Sequence, residues 1–147
     1  MNAKSSSRSA ARLGAVQALF QFDMEKTAIP RLLKEFHDHR LGAEIEDDQY
    51  AEAEIEFFDE IVIGVSDRRD EIDALIAEKL ASGWSLKRLD KTMLQILRAG
   101  SFELLAREDV STATVINEYV DVSHAFFDEK QSGFVNGLLD AIAKTVR

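Results

Sequence analysis

The chain has 147 residues, of which 46% are hydrophobic and 31% charged, a balance typical of one soluble globular domain. It has no cysteine, which excludes disulfides and thiolate metal sites and favours a reducing compartment. No segment is apolar over the roughly eighteen residues that a membrane helix needs, and no apolar stretch of a secretory signal follows the first basic residues. These features predict a cytoplasmic protein without a membrane contact.

The formal net charge is −9, but the charges are unevenly distributed. The first twelve residues carry three bases, Lys4, Arg8 and Arg12, and no acid, whereas the remaining 15 basic and 27 acidic residues give −12. Residues 44–60 contain nine acids and no base. Most of such a molecule repels phosphate. Its N-terminus has two interpretations, a solvated tail or a phosphate-binding edge with Arg8 and Arg12 on one helical face.

The pattern of apolar residues predicts an all-α protein. One proline and seven glycines leave few breaks, and no segment alternates long enough to indicate a strand. We expect one domain over residues 1–147 with about seven helices, or eight if the fifth bends near Asp90. Their expected ranges, in chain order, are 8–24, 29–41, 48–65, 67–81, 85–106, 112–126 and 128–146.

Local signals support several of these boundaries. The serines at 5–7 can cap the first helix, Gly42 can end the second, and Ser111 or Thr112 can cap the sixth. The segment 128–131, Asp-Glu-Lys-Gln, has the spacing of a capping box and opens the last helix. In the third helix we expect the acidic residues on the solvated face.

Motifs for catalysis are missing from the sequence. The glycines are too scattered for a phosphate-binding loop, and neither a G-x-S-x-G elbow nor a cysteine nucleophile is present. His37 and His39 are two positions apart, which sends their imidazoles to different helix faces and favours a solvated surface over a metal site. His124 suits the carbonyl end of the sixth helix. The sequence predicts a binding protein, not an enzyme, with no metal and no cofactor.

An ordered series of short motifs spans nearly the whole chain. It comprises Arg12 with Ala15–Phe20, Gly64-Val65 with Ile72-Asp73, Trp84–Leu89, Ile96–Arg98, Phe102–Leu105, Asp109-Val110, Ile116–Glu118 and Phe134–Asp140. In this order and at this spacing, the series resembles the NusB family of bacterial transcription antitermination factors. The resemblance implies an all-helical fold of two packed helical subdomains.

The resemblance also implies a function. Family members bind the boxA element of ribosomal RNA leader transcripts together with NusE, a ribosomal protein of the small subunit, in a complex with NusA, NusG and RNA polymerase. Carried onto this chain, the RNA-binding positions are Lys4, Arg8, Arg12, Lys130 and Phe134. The positions for the NusE contact are Gln17 and Phe20. Residues 9–11 interrupt the arginine cluster that relatives can have, so we expect weak RNA affinity without the partner.

Two other functions remain open from the sequence. The chain can be a protein-binding helical adaptor that does not touch RNA, or a homodimeric scaffold, since some family members self-associate. Phe134 can equally be a core residue of the last helix. We also hypothesise that the acidic segment 44–60 attracts basic partners and repels RNA from the wrong side of the molecule.

Overall fold

The computed structural model describes residues 3–39 and 48–147, and the side chains of 7–38 and 54–147. Over these residues the protein is all-helical, as predicted, with seven α helices and no strand. The helices are α1 (Ala3–Glu25), α2 (Ile29–His39), α3 (Asp48–Asp67), α4 (Arg69–Lys79), α5 (Lys91–Ala106), α6 (Thr112–His124) and α7 (Glu129–Val146). A 3-10 turn at Leu86–Arg88 precedes α5. Within the described ranges, no helix has the length and apolar character needed to cross a bilayer.

The predicted caps are confirmed where the chain carries a strong local signal. Asp90 accepts hydrogen bonds from the backbone N–H groups of Thr92 and Met93, so the bend expected near it separates the 3-10 turn from α5. Ser111 caps α6 by accepting from the N–H of Thr114. The first helix begins earlier than predicted. It starts at Ala3 and includes the serines at 5–7, which were expected to precede and cap it. The predicted end of α2 at Gly42 lies outside the described residues.

Two compact units, Met1–Ile63 and Gly64–Arg147, make up the structure. In the N-terminal unit, α2 and α3 meet through stacked rings of Phe36 and Phe58, whose centroids are 5.4 Å apart. Gln21 of α1 donates a hydrogen bond of 3.1 Å to Glu35 of α2. One expectation for α3 was wrong: Glu54 is buried, although the acidic residues were expected on the solvated face.

The C-terminal unit is built around α5, which is buried on every side from Met93 to Leu104 and packs against α4, α6 and α7. Small residues allow this close packing. A Cβ atom on Gly64 would overlap the ring of Phe102, and one on Gly100 would lie 2.9 Å from a methyl carbon of Leu139. Both glycines therefore sit where neighbouring side chains leave no room for a larger residue.

The C-terminal end of α5 is held by a side chain distant in sequence. The guanidinium of Arg147 donates hydrogen bonds to the carbonyl oxygens of Glu103, Leu104, Arg107 and Val110, at 2.8–3.3 Å. The last carbonyls of a helix have no partner within the helix itself, so Arg147 satisfies groups that would otherwise need water. This contact joins the end of α7 to the turn between α5 and α6.

Candidate nucleic-acid interface

The first half of α1 carries the predicted basic edge. The helix has no acidic residue in its first turn, so its positive dipole end is not offset there. Lys4 lies within this turn, but its side chain is outside the described residues. Arg8 and Arg12 follow one turn apart, which places their side chains on the same face of the helix.

Both arginines lie over one aromatic ring of α3. The guanidinium carbon of Arg8 is 5.6 Å from the ring centroid of Phe57, and that of Arg12 is 5.1 Å away, within the range of cation–π interactions. Arg12 is only 1% exposed, whereas Arg8 is partly exposed. The spacing therefore predicted correctly that Arg8 and Arg12 share one face of α1. This face packs against Phe57, so Arg12 is buried and only Arg8 reaches the surface. RNA contact by Arg12 remains a prediction.

The second half of α1 presents a different surface. Gln17 is exposed, and Phe20 keeps 37% of its surface accessible. Met24, one turn beyond Phe20, is also exposed. Large apolar side chains that share an exposed helix face are typical of a protein contact. The family resemblance implied this role for Gln17 and Phe20, and Met24 was not predicted for it.

The start of α7 brings together the other two predicted RNA contacts. The capping box is present: Asp128 accepts from the N–H of Gln131 at 2.9 Å, and the Gln131 side chain accepts from the N–H of Asp128 at 3.3 Å. This fixes the first turn, from which Lys130 and Phe134 project one helical turn apart. Lys130 is exposed and Phe134 is 39% exposed, so its interpretation as a core residue was wrong.

Sequence reasoning missed one aromatic residue next to this surface. Phe126 was expected at an apolar position of the sixth helix, but α6 ends at His124 and Phe126 lies exposed in the turn before α7. Its ring is 6.3 Å from that of Phe127. The capping box at Asp128 could have indicated this position. Because a helix begins there, the residues just before it belong to the loop between α6 and α7.

Two of the three histidines lie near carboxylates. Nε2 of His37 lies 2.6 Å from Oδ1 of Asp59, and the imidazole is half-buried against Phe58, so the expectation of a solvated side chain was wrong. The side chain of His39 is not among those described. His124 lies in the last turn of α6, as predicted, 3.8 Å from Asp121. Among the described residues, no group of three or more His, Asp or Glu side chains is arranged to hold a metal ion.

Comparison with known proteins shows which family the chain resembles. The sequence profile of the NusB family matches residues 9–144. The chain belongs to the NusB family. It is 66% identical over 140 residues to transcription antitermination protein NusB of Novosphingobium aromaticivorans, with 95% of each chain covered. It is 60% identical over 147 residues to the NusB of Sphingopyxis alaskensis, covering 100% of this chain and 99% of that one.

Solved structures agree with this NusB fold. NusB from T. maritima superposes with a TM-score of 0.78 at 30% identity, covering 93% of this chain and 90% of that chain. A crystal structure of antitermination factors NusB and NusE in complex with dsRNA gives a TM-score of 0.78 at 28% identity, covering 95% of this chain and 98% of the other. The all-helical architecture expected from the sequence is thereby confirmed.

Proposed function

We propose that this protein binds boxA-type RNA of ribosomal RNA leader transcripts jointly with NusE and supports processive transcription of ribosomal RNA operons. Membership of the NusB family, with relatives of that name covering the chain almost end to end, makes it a transcription antitermination factor. This family membership is the observation that carries the proposal. NusA, NusG and RNA polymerase are the further partners, and the cytoplasm, where bacterial transcripts are made, is the place of action.

The RNA side of the proposal uses two surfaces. One is the start of α1, where Arg8 is partly exposed and supported by the ring of Phe57. The other is the start of α7, where an exposed lysine, Lys130, and an exposed aromatic, Phe134, share a helix face. Cations pair with phosphates and aromatic rings stack on unpaired bases, so each surface offers part of what single-stranded RNA recognition requires. A structure similar to this chain contains NusB and NusE with dsRNA.

The partner side of the proposal uses the second half of α1. Gln17, Phe20 and Met24 are exposed, and burial of the two apolar side chains would supply the anchors of an interface with NusE. The acidic segment 44–60 adds long-range attraction for a basic ribosomal protein. The side chains of 44–53 lie outside the described residues, so this steering role rests on charge and not on geometry.

A gel-shift titration with boxA RNA, in the presence and absence of NusE, tests the proposal. The purified protein should bind weakly alone and more tightly with NusE, and Arg8→Gln should weaken binding and reduce its salt dependence. Arg31→Gln is the matched control, because Arg31 is an exposed arginine of α2 in the same unit. Equal affinity and salt slope for the wild type and Arg8→Gln would exclude the α1 site.

Two alternative functions give different results in the same assay. A protein-only adaptor would bind NusE but shift no RNA under any condition. A homodimeric scaffold would show a concentration-dependent dimer by analytical ultracentrifugation that competes with NusE. The partly exposed Phe20 and Met24 make self-association through α1 the form of this second alternative that the structure favours.

A further inference from the structure

An exposed tryptophan lies in the connection between α4 and α5, apart from the residues assigned above. Trp84 is the one tryptophan of the chain and keeps 53% of its surface accessible. Arg88 lies over its ring, with the guanidinium carbon 5.2 Å from the centroid. The same guanidinium donates a hydrogen bond of 2.5 Å to the carbonyl oxygen of Gly83. The stacked pair is therefore held in place by a backbone contact.

Two further cations flank this pair. Lys87 and Lys91 are exposed, and like Arg88 they have no carboxylate within ion-pair distance among the described residues. The one acid of segment 83–91 is Asp90, whose carboxylate accepts the N–H groups at the start of α5. We call Trp84, Lys87, Arg88 and Lys91 the indole patch.

The indole patch contrasts with the other exposed cations of a protein whose net charge is −9. Lys34 is paired with Asp38 at 2.7 Å and Lys144 with Asp140 at 3.0 Å, whereas the exposed Lys26 and Lys130 each stand without a second cation within three positions. Three unpaired cations within five positions of one another therefore give a local positive potential. The half-exposed indole adds an aromatic face on which a ligand can stack. Because the indole is only partly buried, it contributes less hydrophobic stabilisation than an interior tryptophan would contribute.

The chemistry of this surface matches one ligand class. Single-stranded nucleic acid is bound by basic grooves in which bases stack on aromatic rings, and arginine contributes to such stacks. An acidic peptide would satisfy the cations but would leave the indole without a specific partner. RNA uses both features of the patch.

We propose that the indole patch is a second site for single-stranded RNA, with Trp84 stacking on a base and Lys87, Arg88 and Lys91 contacting phosphates. The inference rests on the proposed function only in taking RNA as the ligand, since none of the RNA-binding positions expected from the family resemblance belongs to the patch. The patch is then an RNA contact in addition to the starts of α1 and α7.

The single tryptophan gives a direct test. Trp84 fluorescence of the full-length protein is measured while a short oligouridylate is added at several salt concentrations. Base stacking on the indole should quench the emission, and quenching should weaken as salt rises. In the double variant Lys87→Gln plus Lys91→Gln, the plot of log affinity against log salt should lose about 1.4 of its slope, at about 0.7 per cation.

Two control variants separate this site from general charge and from the α1 site. Lys34→Gln plus Lys144→Gln removes the same charge from exposed, ion-paired positions and should leave the quenching curve unchanged. Arg8→Gln should also leave it unchanged, although it weakens boxA binding in the gel shift. Far-ultraviolet circular dichroism confirms that each variant keeps its helices.

Three results would overturn the inference while leaving the proposed function intact. The first is RNA binding by gel shift without any change in Trp84 emission. The second is an equal loss of quenching in the two lysine double variants. The third is quenching by polyglutamate but not by oligouridylate, which would identify the patch as a surface for acidic proteins. Failure of boxA binding with NusE would instead refute the proposed function.

Discussion

Helices α1 and α5 have different roles in the molecule, although the sequence predicts both from the same kind of periodicity. In α5, twelve consecutive residues from Met93 to Leu104 are buried, including four polar or charged ones. In α1, buried residues alternate with exposed ones such as Gln17 and Phe20. A helix surrounded by protein must satisfy its polar groups internally, whereas a helix with an exposed side can offer them to partners.

The charged groups of α5 are satisfied by side chains of the neighbouring helices. Arg98 donates two hydrogen bonds to Asp73 of α4, from Nε at 2.8 Å and from Nη2 at 2.9 Å. Tyr119 of α6 donates to the carboxylate of Glu103. Ser101 is the exception among the described side chains, since its buried hydroxyl oxygen has no hydrogen-bond partner. Substitutions in α5 and its contacts should therefore affect stability, and those on the surface of α1 should affect binding.

The largest effect is expected from Asp73→Ala. This change removes the carboxylate that accepts two hydrogen bonds from the guanidinium of Arg98, a side chain that is only 4% exposed. The free energy of unfolding should fall by about 3 kcal/mol, measured by urea denaturation. Glu78→Ala is the control, since the exposed pair of Glu78 with Lys79 should contribute less than about 0.5 kcal/mol. Similar losses for both variants would contradict a special role for the α4–α5 ion pair.

The next largest effect is expected from alanine substitutions at two glycines, which should change the free energy of unfolding in opposite directions. Gly64→Ala places a methyl group against the ring of Phe102 and should lower the free energy of unfolding by about 2 kcal/mol. Gly137 lies in α7 with nothing within 4 Å of an added Cβ, so Gly137→Ala should raise stability by about 0.5–1 kcal/mol through its helix propensity. Thermal unfolding of the two variants tests whether Phe102 of α5 packs directly against Gly64 of α3. A stable Gly64→Ala protein would show that Phe102 can move aside.

A smaller change in stability is expected on α1. Phe20→Ser replaces an exposed side chain, so the free energy of unfolding should change by no more than about 0.5 kcal/mol. Affinity for NusE should nevertheless fall by about tenfold if Phe20 anchors that interface. Calorimetric titration with NusE, alongside a urea melt, separates the two quantities. A large loss of stability with unchanged affinity would mean that Phe20 belongs to the core.

The smallest effect concerns a solvent-accessible ion pair at the start of α4. The hydrogen bonds from Arg68 to Glu71, at 2.8 and 3.1 Å, lower the pKa of the Glu71 carboxyl below its ordinary value of 4.5. The unfolded chain therefore binds a proton more readily, and the stabilisation is present above about pH 4.5 and lost as the pH falls through the lowered pKa. The free energy of unfolding of Glu71→Gln, measured by urea denaturation from about pH 3 to about pH 7, should lack this small acid-dependent component, because carboxyl groups ordinarily titrate within that range.

The sequence alone determined the helical class, the seven α helices of the described residues and several of their ends. Asp90, Ser111 and Asp128 were identified as a bend or as caps because a cap acts on backbone groups two or three residues away, within the reach of local sequence. Family motifs added a function that composition could not provide, since a net charge of −9 argues against RNA.

Only the tertiary structure decided which side chains face outward. Arg12 and Glu54 lie inside, and Phe126 and Phe134 lie outside, although charge and hydropathy favour the opposite for each. Trp84 became a candidate RNA contact only once its exposure and its contact with Arg88 were visible. The physical reason is that helix formation depends on neighbours in the chain, whereas burial depends on contacts between residues far apart in sequence, which no local pattern records.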